Sequence, residues 1–332
     1  MKKLLLFSLL LISMGVFAVD DFAGNCLDFD GTDDYVEIAA GSSSLSGNFT
    51  VEVWAKPMHG TNVIHILGSR GPNEYSFDMK FENGNLIHGD IGNGTAWLTT
   101  AADASSNYSV NTWYHITYVV TTTGYQIYID GNLEGSGNYS GTPLLFDTNH
   151  KIVIGGAGQL HNNYMQGQID EVRVWSDART QTEIQDNMDS TLNGTEAGLV
   201  SYWQFNESSS TTASDAVGTN TGTLNNMTND DWIISTIPIY PFAGNGTSGD
   251  PYQISDLSEL RELSESSSLW DKHFIQTADI DASATSSWNG GEGFSPIGNG
   301  TTMFTGSYDG DEFEIDGLFI NRTSTGKIGL FG

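Results

Sequence analysis

Short segments that alternate between hydrophobic and polar residues follow one another from residue 25 to about residue 205. In Phe49–Lys56, alternate residues starting at Phe49 are apolar, whereas Trp54 lies on the opposite face. Apolar side chains on both faces predict a strand that is covered on both sides, as in a stacked pair of sheets. The predicted strands are Asn25–Asp30, Asp34–Ile38, Phe49–Lys56, Asn62–Gly68, Tyr75–Phe81, Trp113–Thr121, Tyr125–Ile129, Lys151–Gly155, Tyr164–Trp175 and Gly198–Phe205. Strands at this spacing, separated by turn residues, indicate an all-β sandwich.

A tight hairpin and one short helix are predicted within this series. Asp130-Gly131 directly follows the strand Tyr125–Ile129, and this dipeptide tolerates positive φ at both central positions of a hairpin turn. Thr180 and Glu183 have the spacing of a capping box, which predicts that a helix begins there.

A change in the pattern near residue 235 predicts a domain boundary. Gly222–Leu224 is expected to form a last edge strand, and Pro238 and Pro241 then interrupt the chain. Because proline cannot donate to a sheet ladder, we place the boundary at this segment. Residues 19–235 are therefore predicted to form the first domain and residues 236–332 the second segment.

The second segment has the pattern of one coil of a β-helix preceded by a short helical cap. A helix is predicted over Asp256–Ser264, because its leucines share one face. Strands are predicted at His273–Gln276, Phe313–Leu318 and Ile328–Phe331. A single coil cannot bury its own apolar face, and about three such repeats are normally needed for a stable fold. We therefore expect the chain to be the front portion of a longer protein.

The first 18 residues have the pattern of a secretory signal. Lys2 and Lys3 precede the apolar stretch Leu4–Val16, and Ala18 provides a small residue for cleavage. The alternative is a membrane anchor, but the stretch is shorter than the ~20 apolar residues that a span needs. We predict a secreted or cell-surface protein that is not an integral membrane protein.

The charge excludes two classes of partner. The chain has 12 Lys+Arg and 41 Asp+Glu, and removal of Lys2 and Lys3 leaves 10 − 41 = −31. Nucleic-acid binding and polybasic membrane association both need clustered cations, so both are excluded. The single cysteine, Cys26, excludes an internal disulfide framework and a cysteine-based zinc site, and it is expected to be buried.

Several sequence motifs resemble those of known families. Four segments of this chain are similar, in this order, to motifs of LamG-like jelly-roll domains, which are relatives of pentraxins and concanavalin A-type lectins. They are Leu27–Val36, Phe49–Pro57, Trp113–His115 and Gly167–Trp175. Three later motifs resemble the start of GLUG-type β-helices of bacterial surface proteins, namely Gly249–Ile254, Phe304–Gly310 and Gly329–Gly332. The resemblance implies a jelly-roll β-sandwich followed by the first coil of a β-helix, in a surface-associated binding or adhesion protein.

The same fold also hosts laminarinase-type glycoside hydrolases, whose catalytic strand carries two glutamates that point into one groove. The equivalent positions here are Gln168 and Arg173, so the carboxyl pair that a retaining mechanism needs is absent. We therefore predict that the chain is not an enzyme. Glu171 and Arg173 are expected to pair on a solvated sheet surface.

A calcium site is the leading metal hypothesis. Asp30, Asp33 and Asp34 crowd one strand-turn-strand corner beside Asp28, and calcium prefers such hard oxygen ligands. The alternative is that Asp-Gly-Thr-Asp-Asp is only a solvated turn. The resemblance implies that Asp170 contributes if its strand lies beside the first.

Sugar binding would use exposed aromatic rings beside amide side chains. The predicted ligand-binding residues are Trp97, Tyr108, His161 and Tyr164, which lie in segments interpreted as loops near several asparagines. The alternative is that these rings only plug loops. By contrast, Trp54, Trp113, Trp175 and Trp203 are expected to be core residues.

The leading functional hypothesis is binding or adhesion to a glycan or an extracellular matrix polymer. A glycoside hydrolase and a non-binding structural spacer of a surface array are the two alternatives.

Overall fold

The structure is a computed structural model. It describes residues 24–38, 44–60, 62–71, 75–160, 162–218, 220–237, 239–240, 242–244, 246–322, 326 and 328–332. The predicted signal, residues 1–18, lies outside these residues. Within the described part of the chain, no helix has the length and apolar character needed to span a bilayer.

Two large antiparallel sheets form the first domain. Sheet I has the strand order β11-β10-β9-β4-β14-β1-β18, and β15 also pairs with β14. Its strands are β1 (Asn25–Asp30), β4 (Phe49–Pro57), β9 (Tyr114–Val120), β10 (Gly124–Ile129), β11 (Asn132–Asn138), β14 (Gln166–Trp175), β15 (Leu199–Trp203) and β18 (Trp232–Ile234).

Sheet II lies opposite and has the order β16-β17-β2-β13-β5-β6-β7-β8. Its strands are β2 (Tyr35–Ile38), β5 (Ile64–Gly68), β6 (Phe77–Glu82), β7 (Leu86–Gly92), β8 (Trp97–Asn107), β13 (Val153–Ile154), β16 (Thr212–Ala213) and β17 (Gly222–Asn225). A further pair consists of β3 (Leu45–Ser46) and β12 (Leu144–Phe146).

The hydrophobic core lies between the two sheets. Phe49 of sheet I packs edge-on against Phe77 of sheet II with ring centroids 5.6 Å apart, and Tyr118 contacts the same ring at 5.8 Å. The Tyr118 hydroxyl donates to the Ala102 carbonyl at 3.0 Å, so this buried phenol is satisfied across the core. The arrangement is a jelly-roll β-sandwich, which confirms the all-β prediction.

The outer face of sheet I is covered as well. Helix α1 (Gln181–Asn187) begins at Thr180, whose hydroxyl and the Glu183 carboxylate form the predicted capping box. Ile184 of this helix packs against Val119 and Tyr128 on the outer face. Coverage on both sides explains why nearly every residue of β4 is buried.

The segment after β18 also lies on this outer face. Ile237 and Ile239 pack with Trp54 and Trp113, and the Trp113 indole N–H donates to the Thr236 hydroxyl at 2.9 Å. The main chain of Tyr240 then pairs beside Ser190. The connection to the second segment is therefore packed against the sandwich.

The second segment is built from short parallel strands. One sheet has the order β19-β20-β22 and another pairs β21 with β23. The bounds are β19 (Tyr252–Ile254), β20 (His273–Gln276), β21 (Ile280–Asp281), β22 (Ser307–Asp309) and β23 (Ile315–Asp316), with helix α2 at Leu257–Glu265.

Two strand predictions in this segment need correction. The strand predicted over Phe313–Leu318 is reduced to β23, and Ile328–Phe331 is not a strand, because within it only Phe331 forms an isolated bridge, with Ile297. The strand β22 was not predicted, because Ser307–Asp309 contains only one apolar side chain.

Candidate functional site: an acidic corner beside an amide-lined cleft

The acidic corner consists of Asp30, Asp33 and Asp34, at the turn between β1 and β2. The Asp30 carboxylate accepts from the backbone N–H groups of Thr32 at 2.7 Å and Asp33 at 3.4 Å, which fixes the turn. The backbone N–H of Asp30 in turn donates to the Asp34 carboxylate at 3.0 Å. One oxygen of each of the three carboxylates lies within 4.8 Å of the others.

This donor set fits a calcium ion. Two oxygens bound to one calcium at about 2.3–2.6 Å lie no more than about 5 Å apart, and the corner meets that limit. Asp30 and Asp33 are exposed, so they are accessible to an ion from solvent, whereas Asp34 is only 4% exposed.

The electrostatics of the corner are those of crowded carboxylates. Burial raises the pKa of Asp34 to about 6, and the negative charges of Asp30, Asp231 and Asp33 add to the effect. For Asp30, hydrogen bonds from Thr32 outweigh the opposing effect of burial and lower the pKa. A cation at the corner would relieve this repulsion.

Asp170 does not join the corner, so that part of the predicted ligand set is wrong. In the pairing of β1 with β14, Asp30 lies opposite Gln166, four residues before Asp170. Asp170 is fully buried on the outer face of sheet I, where its carboxylate accepts from the Ser235 hydroxyl at 2.5 Å and from the Glu171 N–H at 2.8 Å.

A cleft of about 540 Å³ lies beside the acidic corner, and we call it the corner cleft. It is lined by Gly31, Thr32, Asn62, Val63, Ile64, Asn83, Asn162, Asn163 and Tyr164. The four asparagines and Thr32 are exposed, and Tyr164 is half-buried. Its volume falls in the range of about 300–1,000 Å³ that small-molecule sites occupy.

The position of Tyr164 links the cleft to the corner. Its ring stacks on that of Tyr35, with centroids 6.1 Å apart and planes inclined by 28°. Asn163 has a φ of 49° and its carbonyl accepts from the His65 N–H at 2.8 Å, which anchors the loop that carries Tyr164. Burial raises the pKa of Tyr164, and the negative charge of Asp33 contributes. Tyr164 and three predicted calcium ligands therefore meet at one place.

Two other predicted sugar-binding residues, Trp97 and Tyr108, do not line the corner cleft. Trp97 is half-buried at the start of β8. The Tyr75 ring centroid lies 5.2 Å from that of Trp97, and the Arg70 guanidinium lies over the Trp97 ring, 5.5 Å from its centroid. Tyr108 is only 1% exposed and packs on Phe81 at 4.6 Å, so the prediction that its ring is an accessible loop aromatic is wrong.

Two further predictions concern His161 and the tryptophans. His161 lies outside the described residues. Trp54, Trp175 and Trp203 are buried, as predicted, whereas Trp113 is half-buried.

A charged cluster on the outer face of sheet II was missed by sequence reasoning. Lys80 donates to Asp78 at 2.9 Å and to Asp90 at 2.5 Å, and Arg70 donates to Asp78 at 2.9 Å. Although burial opposes the shift, His65 and Lys80 hold the pKa of Asp78 well below its usual range. The sequence pattern could have revealed it, because Asp78 and Lys80 alternate with the core residues of β6 and must therefore share the opposite face. Because these charges are paired and largely buried, loss of one partner would leave an uncompensated charge in the sheet.

Glu171 and Arg173 are buried, which corrects the prediction of a solvated pair. A bulge between Asp170 and Arg173 gives Glu171 a φ of 50°, so that Glu171 lies on the same face of the sheet as both Asp170 and Arg173. Arg173 donates to the Glu171 carboxylate at 2.7 Å and to the carbonyls of Asn187 and Ser190 at 2.6 Å each.

Comparisons with known proteins agree with this fold. Residues 30–185 match the family profile of the Concanavalin A-like lectin/glucanases superfamily, Laminin_G_3. A protein of Bacteroides ovatus, described as carbohydrate-binding, has a similar structure with a TM-score of 0.51 and 19% identity, over 63% of this chain and 61% of that chain. This likeness shows the fold.

Two curated relatives match by sequence over part of this chain. Halomucin of Haloquadratum walsbyi is 48% identical over 96 residues, which are 27% of this chain and 1% of the relative. A Gly-rich protein of Evansella cellulosilytica, described as a membrane protein, is 38% identical over 89 residues, 27% of this chain and 10% of the relative. The matches therefore span only a small part of both relatives.

Proposed function

We propose that this chain is an exported, non-catalytic protein that binds glycan through the corner cleft. The observation that carries the proposal is the lining of that cleft, which combines four exposed amides with the ring of Tyr164. Asparagine amides both donate and accept hydrogen bonds, as sugar hydroxyls require. The fold-level likeness to a protein described as carbohydrate-binding supports the same function.

A glycan array tests this proposal with residues 19–332. We expect at least one bound glycan, and Tyr164→Ala and Asn162→Ala should each weaken that binding about tenfold, or about 1.4 kcal/mol. Asn193→Ala is the matched control, because Asn193 is also an exposed asparagine but does not line the cleft.

Trp97→Ala distinguishes the two aromatic positions. If Trp97→Ala abolishes binding and Tyr164→Ala does not, the glycan site lies near Trp97 and not in the corner cleft. If no glycan or matrix polymer binds under any condition, the chain is better explained as a structural spacer.

We also propose that the acidic corner holds a calcium ion. A cation that binds only the folded state stabilises it by about 2.7 kcal/mol at a hundredfold excess over Kd. Millimolar calcium should therefore raise the melting temperature by several degrees, and magnesium should do less because it gives up its waters reluctantly. Asp34→Ala and Asp33→Asn should each remove most of the gain. An equal effect of sodium chloride at matched ionic strength would mean that the corner is only a turn.

The absence of catalysis is part of the proposal. Asp170 and Glu171 are both buried on the outer face of sheet I and are engaged by Ser235 and Arg173. A retaining glycosidase needs two carboxyls that face one groove about 5–5.5 Å apart. Release of reducing sugar from β-glucans by the purified chain would contradict this part.

We further propose that the second segment begins a GLUG-type β-helix that holds the sandwich away from a cell surface. Parallel pairing of His273 with Ser307 and of Ile280 with Ile315 supports stacked coils about 35 residues apart. The test is the location of the protein in its host. Recovery from the cytoplasm instead of the surface fraction or the medium would contradict it.

A further inference from the structure

The described lining of the corner cleft is polar but carries no cationic side chain. Its hydrogen-bonding groups are the amides of Asn62, Asn83, Asn162 and Asn163 and the hydroxyls of Thr32 and Tyr164. These groups are neutral, and each can serve a hydroxyl partner as donor or acceptor. A carboxylate or sulfate brought into the cleft would find donors but no charged partner among them.

Exposed carboxylates flank the same cleft. Gly31 and Thr32 line it, and they stand in the chain between Asp30 and Asp33, which are both exposed. Burial raises the pKa of Tyr164, which also lines the cleft, and the negative charge of Asp33 contributes, so the corner acts electrostatically on a residue of the cleft. The whole chain adds a net charge of −29 to this local field.

We infer that the corner cleft selects neutral glycans over carboxylated or sulfated ones. The inference rests on the proposed glycan-binding function of this cleft and names its ligand class. A neutral sugar uses the amides without meeting a like charge, whereas an anionic sugar must approach the carboxylates of the acidic corner. One calcium ion does not remove this effect, because three carboxylates and one divalent cation still leave one negative charge.

The experiment compares neutral gluco-, galacto- and manno-oligosaccharides with the hexuronate oligosaccharides of the same configuration. Binding to residues 19–332 is measured by calorimetry in millimolar calcium. The neutral member of a bound pair should bind at least about tenfold more tightly, which is about 1.4 kcal/mol. Because the selection is electrostatic, the difference should shrink between about 20 mM and about 0.5 M salt.

Matched charge variants separate the local effect from the net charge. In a chelating buffer, where loss of a bound calcium ion cannot offset the loss of one carboxylate, Asp33→Asn should reduce the preference for the neutral member of the pair. Asp311→Asn removes one charge from an exposed aspartate of the second segment, at a φ of 40° that asparagine tolerates, and should leave the preference unchanged. An equal shift by both variants would show that the corner does not set the preference, and would overturn the inference.

The other outcomes are also distinct. Equal or tighter binding of the hexuronate, or a preference that does not respond to salt, overturns the inference and leaves the proposed function in place. If no member of any pair binds, the proposed function fails, and the inference fails with it.

Discussion

At the scale of the residue, the acidic corner makes stability depend on pH in a defined direction. The folded-state pKa of Asp34 is about 6, above its ordinary value of 3.8, because the carboxyl is buried among other carboxyls. A raised pKa means that the folded state binds the proton more tightly than the unfolded state. Without divalent cations, the contribution of Asp34 to stability is therefore present below about pH 4 and is lost as the pH rises to about 6.

This gives a prediction for Asp34→Asn in a chelating buffer. Asparagine can still accept from the Asp30 N–H, but it does not ionise. Relative to the parent, the variant should gain stability as the pH is raised from 4 to 7. Urea unfolding at four pH values measures the difference, and a difference that stays flat over this range would contradict it.

Arg173 provides a second prediction at this scale. It is fully buried, and its guanidinium holds Glu171 and two backbone carbonyls, so its loss leaves an uncompensated carboxylate in the interior. Breaking such a buried pair costs about 3–5 kcal/mol. Arg173→Met should lose about that much free energy of unfolding in urea.

The matched control for Arg173 is Lys151→Met. Lys151 pairs with Glu37 at 2.7 Å, but both side chains are partly exposed. Exposed pairs of this kind contribute about 0–1 kcal/mol. Equal losses from the two variants would show that the Arg173 cluster does not stabilise the fold as described.

The residues that sequence reasoning placed correctly depend on local signals. The three aspartates of the corner are close in the chain, so a single turn brings them together. The positions of Asp170 and Arg173 depend instead on a bulge in β14. They also depend on Ser235 and on residues 187–190, which cover the sheet, and the strand pattern does not encode these contacts. Tyr108 looked accessible because its neighbours are polar, but its ring turns into the core against Phe81.

At the scale of the element, the hairpin between β10 and β11 is tied to helix α1. Gln181 and Gln185 both donate to the Gly131 carbonyl at 2.9 Å. Gly131 has a φ of 71°, and a Cβ there would lie 2.8 Å from Cγ of Gln185. The predicted Asp-Gly turn is thus confirmed, and it also serves as the docking point of the helix.

A pair of glycine variants isolates this contact. Gly84 also has a positive φ, 84°, but a Cβ there would meet nothing within 4 Å. Gly84→Ala should therefore cost only the conformational strain, about 1 kcal/mol, and Gly131→Ala should cost clearly more. Thermal unfolding of both variants measures the difference, and equal costs would argue against the packing of α1 on the turn.

Elements with strong alternation were predicted well and those without it were not. The strand predicted over Phe49–Lys56 corresponds to β4, and the helix predicted from the capping box of Thr180 corresponds to α1. Strand β8 was missed, because Trp97–Asn107 is mostly small and polar. Its position at the edge of sheet II removes the need for an apolar pattern on both faces.

At the scale of the whole molecule, the connection between the sandwich and the second segment is a packed element. Ser235 is held by Asp170, and Ile237 and Ile239 cover Trp54. We therefore expect the two parts to unfold together. The parent protein should therefore show one unfolding transition in calorimetry. The double variant Ile237→Ser/Ile239→Ser should lose this contact and show two transitions.

Ile234→Ser is the control for this experiment. Ile234 belongs to the same stretch of chain but is 69% exposed. Ile234→Ser should therefore leave a single calorimetric transition. Two transitions in the parent protein would mean that the packed connection does not couple the two parts.

The loops around the corner cleft bear on how this protein can change over evolutionary time. Thr32, Asn83 and Asn162 are exposed, are not among the residues with positive φ, and lie outside the core between the sheets. Substitutions there carry little folding cost, since exposed positions away from special contacts change stability by about 0.5 kcal/mol or less. The surface that meets the ligand is thereby separated from the residues that secure the fold. This scaffold can acquire a new specificity by exchanging three short loops, which makes it a suitable starting point for directed evolution of binders.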